Sequence, residues 1–246
     1  KVCNKWAGSA LMQNEALAVE IAAAVVNACA PRGVPVTLKM RTGWSQEHKN
    51  AVALARQFEA VGIQMLTVHG RTREQGYRGM AEYDTIAAVK QAVRVPVVAN
   101  GDITSPEKAR EVLAATGADA IMVGRAAQGR PWIFREMGHF LATGEHLPPP
   151  RVAEVRALLL EHLQDHYRLY GAYTGVRTAR KHIAWYVRAL PGGEALRQHI
   201  NTLETCDAQW QAVAHYLDAL GDQMERLPAA TGTTEPLQDE TEEPSA

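Results

Sequence analysis

Between residues 34 and 123, short apolar runs alternate with stretches of helical spacing, and this rhythm constrains the fold more than any other feature of the chain. Strands are predicted at Val34–Arg41 and Gln64–His69, within Arg94–Ile103 up to Asn100, and at Ala120–Val123. Helices are predicted at about Glu47–Val61, about Tyr83–Val93, and from the N-cap pair Ser105-Pro106 to Ala115. An alanine-rich helix at about Asn14–Ala30, ended by Pro31 and Gly33, precedes the first strand. Consecutive strand–helix units of about 25 to 35 residues predict a parallel α/β sheet. Four such units amount to half of a (β/α)8 barrel, with two open sheet edges.

Alternation within the strands assigns faces. Val36, Leu38 and Met40 share one side of the first strand, and Thr37, Lys39 and Arg41 the other; Leu66 and Val68 oppose Thr67 and His69 in the second. In a sheet covered by helices the apolar side packs outward, so Lys39 and His69 are expected on the inner face near the carboxyl ends of neighbouring strands. The next loop, 70–79, is long, basic and glycine-rich, as suits a substrate loop.

Two strand ends carry glycine beside polar residues: Asn100-Gly101-Asp102, and Gly124-Arg125, after which helical sequence begins at Pro131. Glycine lets backbone amides approach a ligand, and the arginine favours an anion, so a phosphate is the expected occupant. Each feature also has a plain structural reading. Lys39 and His69 could be ion-pair or packing residues, Asp102 could serve turn amides alone, and Trp132 could be a packing residue. The shared face of Lys39 and His69 beside two phosphate-type turns favours a binding site.

The composition, 46% hydrophobic and 22% charged over 246 residues, supports a substantial core, and no apolar run is long and uncharged enough to span a bilayer. Cys3, Cys29 and Cys206 are scattered, without zinc or redox spacing, so a reducing, cytoplasmic setting is expected and no metal. The net charge of -1 conceals an acidic C-terminal tail and a mildly basic body, a balance that a polyanionic partner would suit.

After Pro148-Pro149-Pro150 the pattern becomes helical throughout, with Val155, Leu159, Leu163, Ile183, Val187, Val213 and Leu217 at helical spacing. Arg177, Arg180, Lys181 and His182 cluster on one helical face without nearby acids, which is either an ordinary solvated face or a phosphate-binding one. His162, His166, His199 and His215 show no ligand spacing. The domains expected are an α/β barrel part at 1–147, an all-α domain at 151–226, and a disordered acidic tail at 227–246.

Five ordered motifs carry a resemblance: Lys39-Met-Arg-Thr-Gly-Trp44, Val68-His-Gly-Arg-Thr72, Ala99-Asn-Gly-Asp-Ile103, Gly124-Arg-Ala-Ala-Gln-Gly-Arg-Pro-Trp-Ile-Phe134 and Arg177-Thr-Ala-Arg-Lys-His182. Together they resemble bacterial tRNA-dihydrouridine synthases of the B type, over residues 1 to about 226. The resemblance implies a TIM barrel followed by a helical tRNA-binding domain. The implied reaction is reduction of the 5,6 double bond of particular D-loop uridines, with FMN as cofactor and NADPH as electron donor. It places Lys39 at the flavin's pyrimidine edge and His69 over the flavin beside the target base. Asn100, Gly101, Asp102, Gly124 and Arg125 are placed on the ribityl chain and phosphate, and Arg71 on the substrate; the uncompensated charge of Arg177, Arg180, Lys181 and His182 favours phosphate contacts with tRNA.

The family's general-acid cysteine stands in an Asn-x-Gly-Cys-Pro motif that this sequence lacks; alignment puts it a few residues before Lys1, and Cys3 is out of place for the role. The chain is therefore expected to be the C-terminal part of a longer enzyme, with no catalytic residue of its own and inactive alone. A non-catalytic RNA-binding module and an FMN-dependent barrel reducing a small molecule are the alternatives. No protein partner is evident.

Overall fold

The computed structural model describes residues 6–229. Cys3 and the acidic tail from residue 230 onward lie outside the described residues. The chain divides at Gly124/Arg125 into two compact units. The first ends with β4, so the segment 125–147, which the sequence grouped with the barrel part, falls with the helical unit.

In the first unit four parallel strands, β1 (Thr37–Arg41), β2 (Met65–His69), β3 (Val97–Asn100) and β4 (Ala120–Met122), form one sheet in the order β1-β2-β3-β4. This is the sequential order of neighbouring strands in a (β/α)8 barrel. α1 (Glu15–Cys29), α2 (Ala51–Ala60), α3 (Asp84–Ala92) and α4 (Pro106–Thr116) pack side by side in chain order. Leu66, Val68, Val97 and Ala99 are fully buried, as are Leu54 and Phe58 of α2, Ile86 and Val89 of α3, and Ala109 and Val112 of α4. Burying each of the larger side chains contributes about 1.5–3 kcal/mol. Local chemistry sets the helix ends: the Asn14 side chain accepts from Leu17 N (3.2 Å), and Ser105 Oγ accepts from Lys108 N (3.2 Å) ahead of Pro106.

Two boundaries differ from the sequence expectation. β1 starts at Thr37 rather than Val34, because Pro35 has no amide to pair and Val34 is exposed. α2 starts at Ala51 rather than Glu47, because residues 43–50 form a closed turn in which Trp44 N donates to His48 O (3.1 Å).

The second unit contains α5 (Ile133–Thr143), α6 (Val152–Val187), α7 (Gly193–Thr202) and α8 (Cys206–Gln223). α5 begins at Ile133, two residues after the expected start, behind a turn at Pro131-Trp132. α6 is a hairpin. Gly171 (φ 72, ψ 172) breaks it into arms 152–170 and 172–187, and His162 and His182 face each other across them at 5.2 Å between ring centroids. On a straight helix those residues would be about 30 Å apart. The arms, α7 and α8 enclose a core of Val155, Leu159, Leu163, Ile183, Val187, Ile200, Val213 and Leu217. Gln209, fully buried, accepts from Tyr167 OH (2.8 Å) and donates to Val176 O (3.2 Å), tying α8 to both arms. The chain then returns along the start of α6: Leu227 N donates to Pro150 O (3.0 Å), and the Leu227 side chain is buried in this core. The tail expected to be disordered from 227 is therefore ordered at least to Leu227.

The backbone at Gly171 lies in a region essentially reserved for glycine. Replacing it with alanine adds no clash, since an added Cβ meets no atom within 4 Å, yet it forces backbone strain. Gly171→Ala is expected to lower the stability of the helical unit by about 1–3 kcal/mol in denaturant unfolding. An unchanged midpoint would contradict the hairpin turn.

Candidate functional site

The strand register builds the site. Lys39 pairs with Thr67, and Arg41 with His69; Thr67 pairs with Val98 and His69 with Asn100; Asn100 pairs with Met122. Lys39 and His69 therefore share one face of the sheet, one layer apart on adjacent strands, and Arg41, His69 and Asn100 form the upper layer. The parity expected from alternation is the one observed.

His69 is only 7% exposed. Burial, aided by the positive charges of Arg41, Lys39 and Arg71, pushes its imidazole down to about 4 against an opposing pull from Asp102. At neutral pH it is an uncharged ring that offers one donor and one acceptor. Burial and the neighbouring Arg41 also lower the Lys39 ammonium's proton affinity.

Arg41, which the sequence placed on the inner face without a task, organises the loop after β2. Its Nη1 donates to the carbonyls of Thr72 (2.8 Å) and Gly76 (3.0 Å). Tyr77 is thereby held 6.3 Å from the His69 ring, between centroids, with half of its surface exposed.

The turn after β3 is unusual in its backbone. Gly101 has φ 127, and an added Cβ there would come within 2.7 Å of Ala81 Cβ and 3.2 Å of the His69 ring. Asp102 follows at φ 49, a left-handed conformation that a non-glycine residue adopts only when held. It accepts from Arg71 Nη1 (2.9 Å) and Nη2 (2.7 Å) and from Ala81 N (2.8 Å). Asn100 Nδ2 donates to Met122 O (2.8 Å), and Tyr83 OH to Gly101 O (2.9 Å). Burial raises the Tyr83 phenol to about 12, so it stays a donor. The Asp102 side chain thus serves the chain itself, the plainer of its two sequence readings.

Arg71 departs from expectation. It is 1% exposed, and besides Asp102 it donates from Nη2 to Gly79 O (2.6 Å) and from Nε to Arg78 O (3.3 Å). Four of its five N–H groups are committed within the chain, so substrate contact is not assigned to it. Its role was illegible because the partners come from two loops whose closure the sequence does not display.

After β4, Gly124 has an ordinary backbone, and a Cβ added there meets no protein atom within 4 Å. Internal packing therefore does not require this glycine. Arg125 opens a short 3-10 turn, Arg125–Ala127, at the start of the second unit.

In the helical unit the basic cluster splits. Lys181 is exposed, 5.7 Å from the centre of the Trp185 ring; the Arg177 guanidinium lies 3.8 Å from that of Tyr173, with Glu204 3.9 Å away. Arg180 turns to the chain, Nη2 donating to Leu203 O (3.0 Å) with Nε buried. His182 is joined by His162 and His166 in a cluster across the hairpin, and burial, with those two rings and Lys181, lowers it to about 4. His166 Nε2 lies 2.7 Å from Thr178 Oγ1. Among the described residues no group of three or more His, Cys, Asp or Glu is placed to hold a metal ion, and no helix is long and apolar enough to cross a membrane.

Comparison with known proteins identifies relatives of this chain. The chain is 57% identical over 216 residues to tRNA-dihydrouridine synthase B of Pseudomonas aeruginosa, covering 88% of this chain and 64% of that protein. To the same-named protein of Pseudomonas putida it is 59% identical over 209 residues, covering 85% and 61%. To that of Xanthomonas axonopodis pv. citri it is 57% identical over 220 residues, covering 89% and 65%. The chain thus spans less than two thirds of the length of these relatives. The sequence model described as Dihydrouridine synthase (Dus) matches residues 1–221, and the chain belongs to the dihydrouridine synthase family.

Proposed function

We propose that this chain provides the cofactor face and the RNA-binding helices for reduction of specific tRNA D-loop uridines to 5,6-dihydrouridine, with FMN as cofactor and NADPH as reductant. The observation that carries the reading is the placement of Lys39 and a neutral His69 on one inner face, below a glycine turn, in a member of this family.

The residues present fit a phosphorylated flavin. Gly124, which no internal contact requires, leaves room for a ligand against its backbone, and Arg125 follows it in the chain as a guanidinium for a phosphate. Asn100, Gly101 and Asp102 offer a backbone turn at the same end of the sheet. FMN, when bound, supplies the hydride donor. Lys39 brings a cation to the site, suited to stabilising negative charge on a reduced ring. His69, being neutral, can hydrogen-bond a base without repelling the nearby cations. Among the described residues the thiols are Cys29, which ends α1 in the first unit, and Cys206, which opens α8 in the second, and the reading gives neither a role. The reading therefore takes the proton donor to the base from the family's Asn-x-Gly-Cys-Pro motif.

On the helical unit, Arg177 lies over the exposed ring of Tyr173 near the hairpin turn, and the exposed Lys181 lies near Trp185, a combination of cations and rings that suits phosphates and unstacked bases. Lys181→Ala is expected to weaken tRNA binding and reduce the slope of log K against log salt by about 1, while Arg180→Ala also loosens the α6 contact with Leu203. An unchanged slope for Lys181→Ala would remove this face from the RNA interface.

The cofactor assignment is tested at Gly124. Gly124→Ala is expected to leave the thermal midpoint in place, because the added Cβ meets no protein atom within 4 Å, and to weaken FMN binding, read by flavin fluorescence, by about tenfold or more. Wild-type affinity in the variant would overturn the phosphate-turn assignment.

A further inference from the structure

We infer that the Arg71–Asp102 pair is a positioning latch that makes the substrate loop 70–80 and the cofactor turn 100–102 a single unit, so that neither holds its place without the other. The inference rests on the proposed function for what those two segments do, but the coupling itself is written in the chain's own contacts. Arg71 grips the far end of its own loop at Gly79 O and Arg78 O, and the same guanidinium holds both carboxylate oxygens of Asp102. Asp102 Oδ2 also accepts from Ala81 N, the residue after the loop. Glu82 N closes the base by donating to Gly70 O (2.7 Å), and Gly70 N donates to Asn100 O (2.9 Å).

Packing extends the same connection to His69. Ala81 Cβ and the His69 ring both crowd the space where a Cβ on Gly101 would lie. A shift of the loop end therefore displaces the turn, and a shift of the turn displaces the ring. The carboxylate also explains how Asp102 keeps its left-handed backbone: three donors from the neighbouring loop hold it there. Arginine is required because a single ammonium cannot reach the carboxylate and two carbonyls in one plane.

Burial of the arginine makes the pair decisive. The Arg71 side chain is 1% exposed, and a buried guanidinium that loses its carboxylate is left uncompensated. Removing the fork is thus expected to open the loop rather than leave it slightly weaker. The latch also governs charge at the ring, since Arg71 lowers and Asp102 raises the proton affinity of His69.

Two variants of the whole chain, free of flavin, separate these effects. In Arg71→Lys the charge stays but the fork is lost; in Arg71→Met both go. Hydrogen exchange at the Ala81 and Glu82 amides is expected to accelerate about tenfold to a hundredfold in both, with β2 amides such as Leu66 and Val68 little changed. The His69 titration, followed by NMR, is expected to move up in Arg71→Met, where a charge that lowers it is lost, and to stay close to wild type in Arg71→Lys. Unchanged exchange at Ala81, or uniform acceleration across the strands, would overturn the latch. FMN titration of the same proteins separates this from the flavin reading. Weaker binding in both variants supports the coupling, and equal binding in all three overturns it. Failure of the wild type to bind FMN counts against the flavin reading, and the exchange rates at Ala81 and Glu82 then decide the latch by themselves.

Discussion

The parallel register between β1, β2 and β3 is the constraint on which the rest of the structure depends. It sets Arg41 opposite His69 and His69 opposite Asn100, with Lys39 one layer below on the same face. A slip of one residue in β1 would turn Lys39 and Arg41 into the helices and bring Leu38 and Met40 to the inner face. The helices forbid that slip, because the opposite parity of β2 and β3 is completely buried beneath them. The site is thus a consequence of core packing: the apolar halves of the strands decide where the polar halves point.

On that rigid platform two arginines fold the loop that closes it. Arg41 reaches the front of the loop at Thr72 and Gly76, and Arg71 its back at Arg78 and Gly79. Burial, with the charges of Arg41, Lys39 and Arg71, keeps His69 neutral. Loop shape and protonation state consequently share part of their cause in the two arginines. The cost is a concentration of positive charge around Lys39, Arg41 and Arg71, which Asp102 offsets in part and which an anionic ligand would offset further.

Much of this was legible in the sequence, for reasons tied to period and punctuation. Strand alternation placed Lys39 and His69 on one face because that parity is a property of the chain alone. Ser105-Pro106 marked the start of α4 because cap and fixed φ act within one turn. The five motifs together identified the family. What escaped is what requires the third dimension. Arg71 reads as a surface-loop arginine until the loop is closed on Asp102. Gly171 reads as one glycine in a helical pattern, and only the contact between His162 and His182 shows the chain reversing there. Leu227 looked like the beginning of a polar tail, although pairing with Pro150 buries it. Arg180 looked interchangeable with Lys181, yet one faces the Leu203 carbonyl and the other solvent.

The central claim is that the inner face of β1–β3 and the glycine turns above it form a flavin site. The most direct measurement is the NMR chemical-shift response of the chain to added FMN. The account predicts that Lys39, His69, Asn100, Gly101, Asp102 and Gly124 shift together with one saturation curve, while Val213 and Leu217 of the helical core stay still. Saturable binding that leaves Lys39, His69 and Gly101 unmoved, or no response to FMN, would contradict it.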